Sequence, residues 1–239
     1  MAGFLYDLHL HSALSPCAEE DMTPRNLAGM AYIAGLRLVA LTDHNSCGNC
    51  PAFVAACEEH GLVPIAGMEL TTAEDIHLVC LFPTLEAAMD FSATVQGHRL
   101  LIPNRPELFG QQTQYDAEDS VIGTEGYYLP AATDLHLADA AALVTDYGGL
   151  CYPAHIDREG NGLPAILGDF PESPVFAVAE VAHPKNLAQA GGRLTLCCSD
   201  AHRLWEIGNK EQTLELDVEE DADAATVRTA LFLKLGGRN

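Results

Sequence analysis

Short apolar runs alternate with longer amphipathic stretches along almost the whole chain. Strand-like runs fall at residues 4–11, 36–42, 62–68, 77–82, 150–154, 175–181, 194–198 and 213–218. Between them, helical spacing of apolar positions predicts helices at 24–33, 51–59, 85–95, 137–147 and 224–235. Thr23-Pro24 suits a helix start, since Thr caps and Pro fits the first turn, and Gly35 suits its stop. Asp134 is the expected cap of the helix at 137–147, which closes at Gly148-Gly149. This alternation predicts an α/β fold, either a barrel or an open parallel sheet. Residues 98–130 break the rhythm with Gln, Pro, Gly and acidic residues, and a short strand is expected at 127–129. They read as an insertion or lid over the mouth of the fold.

The first run, Phe4-Leu5-Tyr6-Asp7-Leu8-His9-Leu10-His11, carries the first chemical signal. Strand alternation puts Asp7, His9 and His11 on one face and Leu8 and Leu10 on the other, with same-face neighbours about 6.6 Å apart. Two imidazoles at that spacing can tilt onto one ion; otherwise the run is an exposed polar edge. Further histidines and acids separate these readings, because they fall where other apolar runs end. Residues 39–42 lead into Asp43-His44, Gly67-Met68 into Glu69, 150–154 into His155, and 194–199 into Asp200-Ala201-His202; His77 opens its own run. In a β/α barrel the carboxyl ends of the strands ring one mouth, so a repeated His, Asp and Glu pattern there is a metal site.

The length of 239 residues predicts one domain, and 48% hydrophobic content supplies its core. No stretch reaches the roughly 18 apolar residues of a membrane span, and the start lacks a leader pattern. The expectation is a soluble cytoplasmic protein without a membrane partner. A formal charge of −22 with only 12 Lys and Arg argues against long nucleic acid as partner, but not against a small phosphorylated substrate. Cys80, Cys151, Cys197 and Cys198 lie in apolar runs and read as reduced core residues. Cys47-Gly-Asn-Cys50 is an unpaired C-x-x-C, weak as a zinc or redox signal.

Together, Asp7-Leu8-His9-Leu10-His11-Ser12, Leu41-Thr42-Asp43-His44-Asn45, Gly67-Met68-Glu69, Tyr152-Pro153-Ala154-His155 and Ser199-Asp200-Ala201-His202 resemble the polymerase-and-histidinol-phosphatase (PHP) family of metal-dependent phosphoesterases. The resemblance implies a distorted (β/α)7 TIM-like barrel, standing alone without a polymerase or second catalytic domain. It implies one metal on His9, His11, Glu69 and Asp200. Glu69 would bridge to a second metal on His155 and His77, and a third would sit on His44 and His202. The family commonly completes the third site with an Asp in a Ser-Asp-Gly setting. Here Ser15-Pro16-Cys17 stands instead, leaving Cys17, Glu19, Glu20 or Asp21 as substitutes.

Imidazole with carboxylate suits two or three divalent ions of zinc, manganese or iron. Two such ions sharing a hydroxide can attack phosphorus without a side-chain nucleophile. Asp7 and Asp43 suit the role of orienting the ligating imidazoles. Arg158 and Arg203 either contact phosphate or pair with the abundant acids. His183 either faces the mouth or serves a loop, and His60, His98 and His136 read as structural. The expected function is hydrolysis of a small phosphorylated metabolite or nucleotide, with Glu69, Asp200, Arg158 and Arg203 at the reaction centre. Alternatives are action on short oligonucleotide ends, a metal-loaded regulatory module, and hydrolysis of a cyclic amide.

Overall fold

The computed structural model describes residues 1–209 and 212–236. Strands β1 (Ala2–Leu10), β2 (Leu38–Leu41) and β3 (Val63–Thr71) run parallel, with helices α1 (Pro24–Ile33) and α2 (Cys50–Glu59) as crossovers. β4 (His77–Phe82) then returns antiparallel to β3, and α3 (Leu85–Val95) follows it. After α5 (Leu137–Asp146) comes β7 (Leu150–Pro153), antiparallel to β4. The chain continues through α6 (Leu163–Leu167), the parallel pair β8 (Val178–Glu180) and β9 (Leu194–Leu196), then β10 (Thr213–Leu216) and α7 (Ala224–Leu235).

One sheet has the order β10-β1-β2-β3-β4-β7. It curls until its ends meet the β8–β9 pair: Ile156 N donates to Glu180 O, and His11 N donates to Ala201 O. The result is a distorted (β/α)7 barrel. Two apolar layers hold it together. The inner one joins Tyr6, Leu8, Leu38, Ile65, Val79 and Tyr152 across the barrel, and α7 adds Val227, Leu231 and Leu235. The outer one packs Val39, Leu41, Met68 and Cys80 against Leu27, Phe53, Phe91 and Leu137 of the helices. Each such side chain contributes about 1.5–3 kcal/mol on burial. Cys47 and Cys50 belong to this outer layer, and both thiols point at Gly67 O.

Several expectations are corrected by this arrangement. β3 and β4 form an antiparallel hairpin, not a pair within an all-parallel sheet, so β4 runs away from the mouth and its first residue, His77, lies at the rim. Gly67 permits that pairing, since a Cβ there would sit 2.7 Å from Cys80 O. The alternation predicted for the first strand breaks as well. Pairing with β2 slips between Asp7 and Leu10, so Leu8 joins the inner layer and Leu10 the outer. Such an irregularity re-aims side chains; here His9 and His11 gather with Glu69, while Asp7 accepts from Ser199 N and Gly208 N.

Between α3 and α5 the strands are β5 (Thr113–Tyr115) and β6 (Val121–Thr124), preceded by the short α4 (Pro106–Phe109); residues 127–129 form no strand. This segment is tied to the loops after β1 and β2. Thr113 N donates to Ala13 O, Asn49 Nδ2 to Thr113 O, and Asn45 Nδ2 to Leu129 O and Ala131 O.

Asp134 does not cap α5 but pairs with His98. The cap comes from a distant residue, Glu74, whose carboxylate accepts from Leu137 N and contacts His136. Burial opposes the Glu74 charge, but His136 and these donors outweigh it and lower its pKa. A lowered pKa gives stability that is present above the unfolded value, about 4.3, and lost as pH falls through the folded one. Glu74→Gln should therefore cost about 0.5–1 kcal/mol at pH 7, a capping magnitude reduced by solvent. Urea denaturation should show this gap closing as pH drops below about 4.3.

Candidate metal centre

Seven segments deliver side chains to one end of the barrel. β1 brings His9 and His11, the turn after β2 brings Asp43 and His44, and β3 brings Glu69. β4 brings His77, the turn after β7 His155, β8 Glu180, and the turn after β9 Asp200 and His202. The backbone bends sharply at two of these residues, His155 and Asp200, and at Asn45, directly after His44. Asn45, His155 and Asp200 have φ of 46°, 29° and 52°, the left-handed region that non-glycine residues enter at a cost of about 1–3 kcal/mol.

Glu69, 1% exposed, is the hub. Its Oε1 lies 2.8 Å from His77 Nδ1, 3.1 Å from His155 Nε2 and 3.4 Å from His9 Nε2. Its Oε2 lies 3.0 Å from His44 Nδ1 and 3.3 Å from His11 Nε2. Asp200 Oδ1 adds contacts of 3.1 Å to His11 and 3.4 Å to His9. The residues divide into three groups able to hold an ion: His9, His11 and Glu69; His44, Glu69 and His77; His11, His44 and His202. His155 and Asp200 stand outside these groups but touch Glu69, His9 or His11, so every metal-ligand position read from the sequence lies in one cluster, although His44 joins Glu69 and His77 where His155 was expected.

The outward hydrogen bonds show what the inward nitrogens are for. His9 Nδ1 donates to Glu180, 3.1 Å from both oxygens. His11 Nδ1 donates to Ser15 Oγ at 3.0 Å, whose own proton goes to Asp43 Oδ1 at 2.7 Å. Both Nε2 atoms are thus left bare, and they face each other across 3.2 Å. Two lone pairs so placed repel unless a cation or proton lies between them. Nitrogens about 2.0–2.1 Å from one ion at a roughly tetrahedral angle have about this separation. Five imidazoles round one carboxylate, which offers about four lone-pair sites, make the same point. The donor set fits divalent metal.

The charge states agree. Burial works against charge throughout, yet Glu180, Asp200 and Glu69 raise the His9 pKa, and Asp200 with Glu69 holds His11 at about 9. Burial lowers His44 to about 3, and burial with the His11 charge lowers His202 to about 4. Glu69 and Asp200, against burial, are kept ionised by the surrounding histidines.

Around this centre the sequence expectations fall out unevenly. Asp43 acts on His11 through Ser15, not directly, and Asp7 meets no imidazole. Glu180 takes the orienting role expected of Asp7; it is the one acid inside the apolar run 175–181, a signal present in the sequence but passed over. Arg158 Nη1 bonds Asp200 Oδ2 at 2.6 Å, beside the ligands. Arg203 instead pairs with Glu19 and Glu206 at the rim. His183 is exposed, with its backbone N on Asp157. His60 stacks on Tyr32, and His98 and His136 pair with Asp134 and Glu74.

Fold and site together define a metal-dependent hydrolase on a distorted barrel. A PHP-domain family model matches residues 7–151, and the chain belongs to that family, the metal-dependent phosphoesterases. It is 28% identical over 201 residues to a 5′-3′ exoribonuclease of Haemophilus influenzae, covering 78% of this chain and 71% of that one. Among solved structures, the lesion-specific endonuclease Q of Pyrococcus furiosus superposes with a TM-score of 0.63 at 18% identity. All of this chain is covered, but only 57% of the endonuclease's length. An amidohydrolase from Chromobacterium violaceum, solved with sulfate and no metal, gives 0.60 at 20% identity over 94% of this chain and 96% of that one. Endonuclease Q has also been solved with a 27-mer duplex, so this fold does not by itself exclude long nucleic acid.

Glu180→Ala frees the His9 ring and removes the acceptor of His155 N, a 3.3 Å contact. Loss of such an orienting partner typically weakens metal binding 10–100-fold. Competition with a chromophoric chelator should show that loss with the far-ultraviolet circular dichroism unchanged.

Proposed function

We propose that this chain hydrolyses the terminal phosphoester of a small phosphorylated compound, a nucleotide or the end of a short oligonucleotide, using two or three divalent ions. The observation that carries this reading is the pair of bare Nε2 atoms of His9 and His11 held beside Glu69 and Asp200. Divalent ions bound there would supply activated water and neutralise charge developing on the phosphoryl oxygens. The chain's own residues do the positioning. His9, His11, His44, His77, His155 and His202 hold their nitrogens inward, and Glu69 spans the groups. Arg158, half exposed next to Asp200, is the cation placed to swing onto a phosphate oxygen with two parallel hydrogen bonds.

A terminal rather than an internal phosphate is favoured by charge. One arginine beside the ligands and a net charge of −22 offer no basic track for a long backbone. Residues 98–130, tied to the loops beside Cys17, would border the entrance as the insertion we propose them to be. The likeness to an exoribonuclease supports a nucleotide end as substrate. We also place the protein in the cytoplasm, on the unbridged buried thiols of Cys47, Cys50, Cys57 and Cys80; among the described residues no helix is long and apolar enough to cross a membrane.

Metal-replete protein should release phosphate or mononucleotide from a panel of nucleotides, sugar phosphates and 5′-phosphorylated short oligonucleotides. Chelation should abolish turnover and divalent metal restore it, and Glu69→Gln should lower kcat by about a thousandfold, roughly 4 kcal/mol. No hydrolysis anywhere in the panel would overturn the reading. The rate on a short oligonucleotide should change less than about tenfold between 50 and 200 mM salt, whereas a backbone tracker making several phosphate contacts loses about 10³ or more.

A further inference from the structure

The loop after β1 carries no carboxylate into the mouth. Glu19 is held by Arg203, and Glu20 and Asp21 are exposed. What does reach the histidines is a thiol: Cys17 Sγ lies 3.1 Å from His202 Nε2. His202 Nδ1 donates to Asp200 O at 2.8 Å, so Nε2 is the bare nitrogen of that ring, and it faces the sulfur. The His202 ring stacks 4.4 Å from that of His11, which is 4.6 Å from that of His44. His44 is 6% exposed, and its buried Nδ1 has no hydrogen-bond partner despite its closeness to Glu69. Three imidazoles thus lie within ligand reach of one another, and one of them, His202, meets a cysteine.

We propose that Cys17 is a thiolate ligand of the ion held by His44 and His202 at the mouth. This rests on the metal-centre reading above. Binding exchanges the S–H proton for the metal: the proton leaves to solvent and sulfur's electron pair forms the bond. The consequence is selectivity. A thiolate with two imidazoles favours zinc or cobalt, whereas the carboxylate-rich groups on Glu69 and Asp200 also suit manganese. The chain would then hold unlike ions in neighbouring positions.

Reconstitution of the full chain with cobalt(II) tests this by absorption, independently of turnover. The wild type should show a near-ultraviolet thiolate-to-cobalt charge-transfer band beside the visible bands of imidazole- and carboxylate-bound cobalt. Cys17→Ser should lose the charge-transfer band, keep the visible bands of the deeper ions and hold about one ion fewer by mass spectrometry. Cys17→Asp should restore the ion without the band and raise manganese occupancy relative to zinc. Visible cobalt bands without a charge-transfer band, and equal ion counts in wild type and Cys17→Ser, would overturn the proposal while leaving the metal centre standing. Failure to bind cobalt at all would remove the metal centre, and this proposal with it.

Discussion

The structure turns on one electrostatic constraint: a buried carboxylate, Glu69, encircled by five imidazoles, two of which, His9 and His11, have their outward nitrogens already engaged. Burying Glu69 and Asp200 as anions costs several kcal/mol each unless positive charge is close. Nothing on the helices supplies it, since the basic residues are few and mostly at the surface. Arg158 supplies it at one oxygen of Asp200; at Glu69 the charge must come from protons on the histidines or from cations among them. The fold is arranged round that requirement. Glu180, Ser15 and the Asp200 carbonyl lock three rings with bare nitrogens inward. The strained backbone at His155 and Asp200 is the cost of presenting them.

The inner apolar layer explains why the arrangement holds its shape. Leu8, Leu38 and Tyr152 share one buried cluster and lie on strands that lead to residues of the centre, so those strands cannot shift without opening the core. From the opposite side α7 completes that layer. Burial is graded upward from there: Glu69 and His9 lie deep, whereas His202, 27% exposed at its side chain, and Cys17 meet solvent. The open side of the cluster is therefore bordered by Cys17, His202 and Arg158. This ordering gives the mouth position, not the deep one, the freedom to differ in its donor atoms.

Much of this was legible in the sequence, for a physical reason. Strand ends at a barrel mouth are where an apolar run must give way to polar groups, so His44, Glu69, His155, Asp200 and His202 announced themselves by position. The family motifs implied their division among ions, from which the structure departs by setting His44 with Glu69 and His77. What escaped were effects of pairing that a linear pattern does not carry. His77 opens its run because β4 runs antiparallel. Asp7 parted from His9 because one slip against β2 exchanges the faces of a strand. Glu180 was hidden because its strand is three residues long and buried on both sides. Glu74 caps α5 from 63 residues away, a contact only tertiary structure creates. The strands between α3 and α5 are only three and four residues long, too short for a period-two pattern to stand out.

Anomalous diffraction from a crystal of metal-replete protein is the most direct test of the central claim. It should show a peak between His9 Nε2 and His11 Nε2, about 2.0–2.2 Å from each and within bonding reach of Glu69 and Asp200. Well-ordered His9 and His11 rings with no anomalous density between them, at saturating zinc, would contradict it.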